Sequence, residues 1–263
     1  GSVGNALTSL DNANTNDDAY AIDLSLSYID GSGGTLAYMQ SSFYFRNPGS
    51  DSFAEESLLM KVDSADFTSS TMSASDTQMV QSTIAHELMH GVMDVLMPEG
   101  MFNTDAADAN NGNFPLWFIE GAAQLVGGGY TTGWNDALMM IAESSDSSAT
   151  KLSSVASYLN NGTFSVGNYS YSAGGTFTVE GRPYGHGYLA CAYLCQLASG
   201  SAITSVNQSS LITGANKIFN GIMQNESNYA NSGTAMSFTN VINTVLSAAG
   251  QSLTLTDVIR SEE

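Results

Sequence analysis

Residues 86–90 read His-Glu-Leu-Met-His, and no other feature of the chain restricts its fold as tightly. Two imidazoles four residues apart meet a single cation only from one face of an α-helix, where residues i and i+4 stand one turn apart. Glu87 then projects about 100° around the axis from His86, beside the position that a cation would leave open. The surrounding pattern agrees with a helix. Met79, Val80, Ile84, Leu88, Val92, Val95 and Leu96 recur at helical spacing. Ser75 and Gln78 have the spacing of a capping box near its start, and Pro98 and Gly100 end it. The chain has three histidines, of which this motif takes two. Two imidazoles and a carboxylate along an apolar stripe are unfavourable to bury alone, and a bound cation compensates for that.

A third ligand is needed for a catalytic zinc, which keeps three protein ligands and a water. A third histidine six residues after the motif would require Gly at 93 and His at 96, but the chain has Met93 and Leu96. Glu120 is the alternative. It is the one acid in the apolar stretch Leu116-Trp-Phe-Ile-Glu-Gly-Ala-Ala-Gln124, which reads as a helix begun by Pro115 and ended by Gly127-Gly128-Gly129. A solvated helix-face acid is the competing reading, and the apolar neighbours on both sides oppose it.

The rest of the chain divides in character. Residues 20–29 alternate apolar and polar as a half-buried strand does, Asp30 to Gly34 reads as a turn, and 35–45 as a second strand completing a hairpin. A third short strand is expected over Ser57 to Val62. Asn135–Glu143 reads as a short helix, 160–180 as a loop or small hairpin, and 185–198, about 208–224 and 235–248 as further helices. The expectation is an α+β fold with a twisted N-terminal sheet, a metal-binding helix and a mainly helical C-terminal sub-domain. Residues 1–97 would form one sub-domain and 98–263 the other, with a cleft between them. An edge strand within 57–63 would line that cleft and pair with extended substrate backbone.

Composition limits the partners. Six Lys and Arg face 25 Asp and Glu, a formal net charge of −19. A surface that acidic repels nucleic acid and anionic lipid. No apolar run is long enough to cross a bilayer, so membrane insertion is not expected. Cys191 and Cys195, four apart in an apolar helix, read as small buried hydrophobes rather than as a disulfide. Asp105, Asp108, Asn110 and Asn111 offer oxygen ligands for calcium without the spacing of an EF-hand, and a solvated loop is the preferred reading.

Trp117-Phe-Ile-Glu-Gly-Ala-Ala, about thirty residues after the His-Glu-x-x-His helix, resembles the gluzincin peptidases. The wider set is similar to the flagellinolysin family, the collagenase-like zinc peptidase domains carried in the variable region of some bacterial flagellins. That set comprises His86-Glu-Leu-Met-His-Gly-Val-Met93, Phe114-Pro-Leu-Trp-Phe-Ile-Glu-Gly-Ala-Ala-Gln124 and Tyr184-Gly-His-Gly-Tyr-Leu-Ala190. The resemblance covers about a third of the chain. It implies a zincin-like fold, and zinc held by His86, His90 and Glu120 with Glu87 as general base. It also implies hydrolysis of protein or peptide substrates outside the cell, on a flagellar filament. An oxyanion donor is expected just before the 185–198 helix, where Tyr184 and Tyr188 match the family pattern and His186 is this chain's own. Gln124 stands where such enzymes usually carry an acid supporting a ligand, a role that Asp94 could fill. Two other functions compete. A non-catalytic display or adhesion module would have no use for a free Glu87. An aminopeptidase would need an acidic anchor for the substrate amine, and no Gly-x-Met-Glu-Asn-like segment is present.

Overall fold

The computed structural model describes residues 22–45, 53–67, 73–96, 114–128, 134–172, 184–203, 206–232 and 236–260. Strands β1 (Ile22–Ser27), β2 (Ala37–Phe45) and β3 (Phe53–Asp63) form one sheet in the order β1-β3-β2. β3 runs parallel to β1 and antiparallel to β2. Two expectations change here. β1 and β2 do not form a hairpin, because β3 lies between them. The 57–63 segment is the centre of the sheet and not an edge. The reason is burial: Leu58, Met60 and Val62 are all buried and need neighbours on both sides, whereas Leu24 and Leu26 on β1 are about two-thirds exposed.

The turn after β1 is tied to the end of β3 instead. Asp63 is fully buried, and its carboxylate accepts the backbone N–H groups of Asp30 (3.0 Å), Gly31 (3.2 Å) and Ala65 (2.8 Å). The Ala65 N–H is the strongest of the influences that hold its pKa below the usual carboxylate range; the N–H groups of Asp30 and Gly31 act in the same sense, outweighing burial. Gly31 and Gly33 have φ of 99° and 85°, a region that a side chain would strain.

Helix α1 (Ala74–Leu96) follows. Its capping box lies two residues earlier than the Ser75–Gln78 pair that the sequence suggested. Ser73 Oγ accepts the Asp76 N–H (3.1 Å) and the Asp76 carboxylate accepts the Ser73 N–H (3.0 Å). At Gly91 the helix lies on the sheet, where a Cβ would come within 3.3 Å of Met39 and 3.5 Å of Leu58. Helix α2 (Leu116–Gly127) ends on Gly128 at φ 81°, and α3 (Trp134–Glu143) comes next. Helix α4 (Ser148–Asn161) was not expected from the sequence, because its few apolar residues are diluted among Ser, Ala, Thr and Asn. Its signals are local: Ser147 caps the Thr150 N–H and Gly162 closes it in the left-handed region. Strands β4 (Thr163–Val166) and β5 (Tyr169–Ser172) form the small hairpin. Helices α5 (Gly185–Ser199), α6 (Gln208–Ser232), α7 (Phe238–Ala248) and α8 (Leu255–Arg260) complete the described elements.

One core cluster runs from Leu58 and Met89 through Trp117, Leu194, Ile218 and Ile242 to Val258. Its centre is aromatic, with Phe238 4.7 Å from Phe118 and edge-on to Phe114 at 5.7 Å, ring centroid to centroid. A second cluster, Ile141, Tyr158, Phe164 and Val166, joins α3, α4 and the hairpin, and Tyr188 of α5 packs on it. Cys191 and Cys195 are buried and form no disulfide, and burial pushes the Cys195 thiol up to about 12. Among the described residues no helix is long and apolar enough to cross a membrane.

Phe238 is 3 % exposed, so Phe238→Ala is expected to cost about 3–5 kcal/mol of folding free energy, read as a fall in the urea midpoint. Leu24→Ser, at an exposed position of β1, is expected to stay within about 0.5 kcal/mol of wild type in the same assay.

Candidate metal centre

Helix α1 carries His86 and His90 on one face, and α2 brings Glu120 against them. The two helices meet where Gly127 passes Ser82: Ser82 Oγ donates to the Gly127 carbonyl, and a Cβ on Gly127 would sit 2.7 Å from the Ser82 carbonyl oxygen. This close crossing lets a short carboxylate on α2 reach imidazoles on α1.

Three atoms converge. His86 Nε2 and His90 Nε2 are 3.0 Å apart, and Glu120 Oε2 is 3.3 Å from the first and 3.6 Å from the second. Tetrahedral ligands on zinc at bonds of 2.0–2.1 Å stand about 3.3 Å from one another, which is the spacing found. Glu120 Oε2 is buried with no hydrogen-bond partner, although two ring nitrogens lie close to it. The three donor atoms lie within 4.8 Å of one another, the arrangement that a shared cation satisfies. Histidine nitrogen with carboxylate oxygen is a donor set suited to zinc.

The electrostatics separate the two carboxylates. Burial raises the Glu120 pKa, but His86 and His90 outweigh it and hold the carboxyl down at about 2. Burial also raises Glu87, and there it prevails over His90, His86 and a backbone N–H from Met39. Glu87 is 7 % exposed and lies outside the His86–His90–Glu120 cluster. Burial lowers His90, but Glu120, Glu87 and Asp94 together raise it. Asp94 thus acts on His90 through its charge. Gln124 is fully buried on α2. His86 Nδ1 is buried without a hydrogen-bond partner, so packing orients the ring: His90 meets it edge-on at 4.6 Å and Tyr184 stacks on it at 6.2 Å and 19°.

The sequence candidates near α5 are placed differently from one another. Tyr184, the N-cap residue, is 40 % exposed and its hydroxyl interacts with the Glu120 carboxylate. Burial raises its pKa, and Glu120 and Glu87 add to the shift, so the hydroxyl keeps its proton. His186 is 1 % exposed. Tyr188 faces the second cluster. Asp105, Asp108, Asn110 and Asn111 lie outside the described residues. The Met39 N–H reaching Glu87 is a contact that the sequence did not reveal; it brings β2, an edge strand, beside the acid. A cavity of about 210 Å³ between α1, α2 and α6 is lined by Met89, Val92, Leu125 and Phe219 among others, has no ionisable side chain in its wall and contributes no chemistry.

Compared with known proteins, the chain matches no family model, no curated protein and no solved structure. The assignment therefore rests on the cluster: His86-Glu87-x-x-His90 with Glu120 is a buried metal-ligating group that matches the gluzincin catalytic signature.

Zinc at a hundred times its Kd is expected to stabilise the folded protein by about 2.7 kcal/mol, seen as a rise in Tm, with His90→Ala losing the rise. A second outcome follows from Glu87 in metal-free protein. A carboxyl whose folded pKa is raised loses stability as pH climbs from the unfolded value through the folded one. Glu87→Gln should melt above wild type at pH 7, and the two should converge below the ordinary carboxylate range near pH 4. A constant difference across that window would contradict the burial of this acid.

Proposed function

We propose that the protein is a zinc-dependent endopeptidase acting on extracellular protein or peptide substrates. The observation that carries this reading is Glu87, a buried carboxylate beside the ligand cluster but outside it, with its pKa raised toward the working range of a general base. A structural zinc has no need of such a group, which disfavours a non-catalytic display or adhesion module.

Zinc, when bound by His86, His90 and Glu120, would supply Lewis-acid polarisation of the scissile carbonyl and acidify a water. Glu87 accepts the proton of the attacking water and delivers it to the leaving amine nitrogen as the C–N bond breaks. The Met39 N–H orients the Glu87 carboxylate. Tyr184, protonated and half-exposed at the cluster, is the preferred donor to the developing oxyanion; His186, buried in the first turn of α5, is the second candidate. The outer edge of β2, rather than residues 57–63, is the strand beside Glu87 and suits antiparallel pairing with an extended substrate.

The same reading assigns the domain to the variable region of a flagellin, displayed on the filament outside the bacterial cell. Its support is the resemblance of 86–93, 114–124 and 184–190 to that family, together with an acidic, Lys- and Arg-poor composition. Calcium on Asp105, Asp108, Asn110 and Asn111 is a secondary element of the proposal.

Zinc-loaded protein is expected to cleave a peptide library, and Glu87→Gln to keep its zinc while turnover falls by roughly three orders of magnitude. Tyr184→Phe should retain zinc and lower kcat roughly a hundredfold. Peptide cleavage by Glu87→Gln at the wild-type rate would overturn the mechanism. Mass spectrometry of filaments sheared from the source cells checks the location.

A further inference from the structure

Two glycines stand where α2 crosses α5. Gly121 follows the ligand Glu120, and Gly187 lies three residues after Tyr184; both are buried. A Cβ on Gly121 would overlap the Gly187 carbonyl and sit 2.8 Å from Gly187 Cα. A Cβ on Gly187 would overlap the Trp117 carbonyl oxygen and sit 3.2 Å from Gly121 Cα. The helices thus touch backbone to backbone, closer than helices with side chains at the crossing approach. Neither glycine sits in the left-handed region, so the conformation does not call for it. Glycine inside a helix is unfavourable relative to alanine, and what it supplies here is the absence of a Cβ.

The crossing sits at the chemistry. Tyr184 is about 4.5 Å along the axis from Gly187, and Glu120 adjoins Gly121. Between them lie the Tyr184 ring stacked on His86 and the Tyr184 hydroxyl against the Glu120 carboxylate. Widening the crossing by one methyl group moves the start of α5 away from Glu120. A displacement of about 1 Å is enough to lose a directed hydrogen bond.

We propose that Gly121 and Gly187 are positioning residues that hold Tyr184 against Glu120 by allowing α2 and α5 to touch through their backbones. The functional consequence rests on the reading of Tyr184 as oxyanion donor, its single O–H turning from Glu120 to the oxyanion when substrate binds; the placement itself does not. Gly214 of α6 provides the control. It makes an equally close crossing with α5, at Cys195, where a Cβ would overlap the Cys195 carbonyl. Cys195 is about 16 Å along α5 from Tyr184.

The test is a set of double-mutant cycles in urea on metal-free protein. Tyr184→Phe is expected to lower the folding constant about fivefold, the weight of one hydrogen bond, in wild type and in Gly214→Ala alike. In Gly187→Ala it should change nothing, because the contact is already lost. An equal loss in all three backgrounds overturns the proposal. The same cycle in zinc-saturated protein reads kcat: Gly187→Ala should lower kcat with KM little changed, and Tyr184→Phe should add no further loss. Coupling in urea without any peptidase activity would retain the positioning role and remove the functional reading. A kcat loss from Tyr184→Phe that is undiminished in Gly187→Ala would do the reverse. Should Gly187→Ala not fold, Gly121→Ala carries the cycle from the other helix.

Discussion

The burial of two carboxylates within one small space is the constraint on which the rest of the site depends. Glu87 and Glu120 both lose water, and like charges at short range oppose each other. The protein separates them chemically. Glu120 faces two imidazole nitrogens and stays ionised, while Glu87 is held more by burial than by partners. With both histidines neutral, a divalent cation brings the two carboxylates and the metal to a net charge of zero. That cancellation makes such a group tolerable beside Met89 and Trp117 in an otherwise apolar core.

Precision at the cluster comes from close helix packing more than from hydrogen bonds. His86 has no hydrogen-bond partner on Nδ1, and neither has Glu120 on Oε2. In place of such bonds there are tight crossings at glycine: Gly127 on α1, and Gly121 with Gly187 between α2 and α5. Each lets a backbone approach where a Cβ would hold it off, so ligands and the neighbouring tyrosine ride on helices rather than on loops. The sheet enters through β2, whose edge brings the Met39 N–H to Glu87.

Elsewhere the abundant acids do quieter work. Asp63 gathers backbone N–H groups on both sides to join the turn after β1 to the end of β3, and Asp66 accepts the Gly33 N–H at 2.7 Å. Asp76 and Asp257 close capping boxes with Ser73 and Thr254. With six Lys and Arg in the whole chain, these carboxylates among the described residues are stabilised by amide donors, which are supplied locally by turns and helix starts.

The sequence by itself determined the metal helix, the third ligand and the α+β class. His86, Glu87 and His90 owe their relation to one helix, and an acid amid Trp117, Phe118 and Ile119 is conspicuous without knowledge of the fold. These are properties of neighbours along the chain, and helical periodicity reports them directly. Strand order was not legible, because β3 enters between β1 and β2 by pairing with β1 residues 36 positions away, which alternation does not encode. Helix α4 escaped because its apolar residues are too few to mark a face. Which of Tyr184 and His186 stands beside Glu120 was likewise left to tertiary structure. Both begin the same helix, and only the crossing of α5 on α2 decides that Tyr184 turns toward Glu120 while His186 is buried, since the rotation of a helix against its neighbour is set by the shapes that meet there.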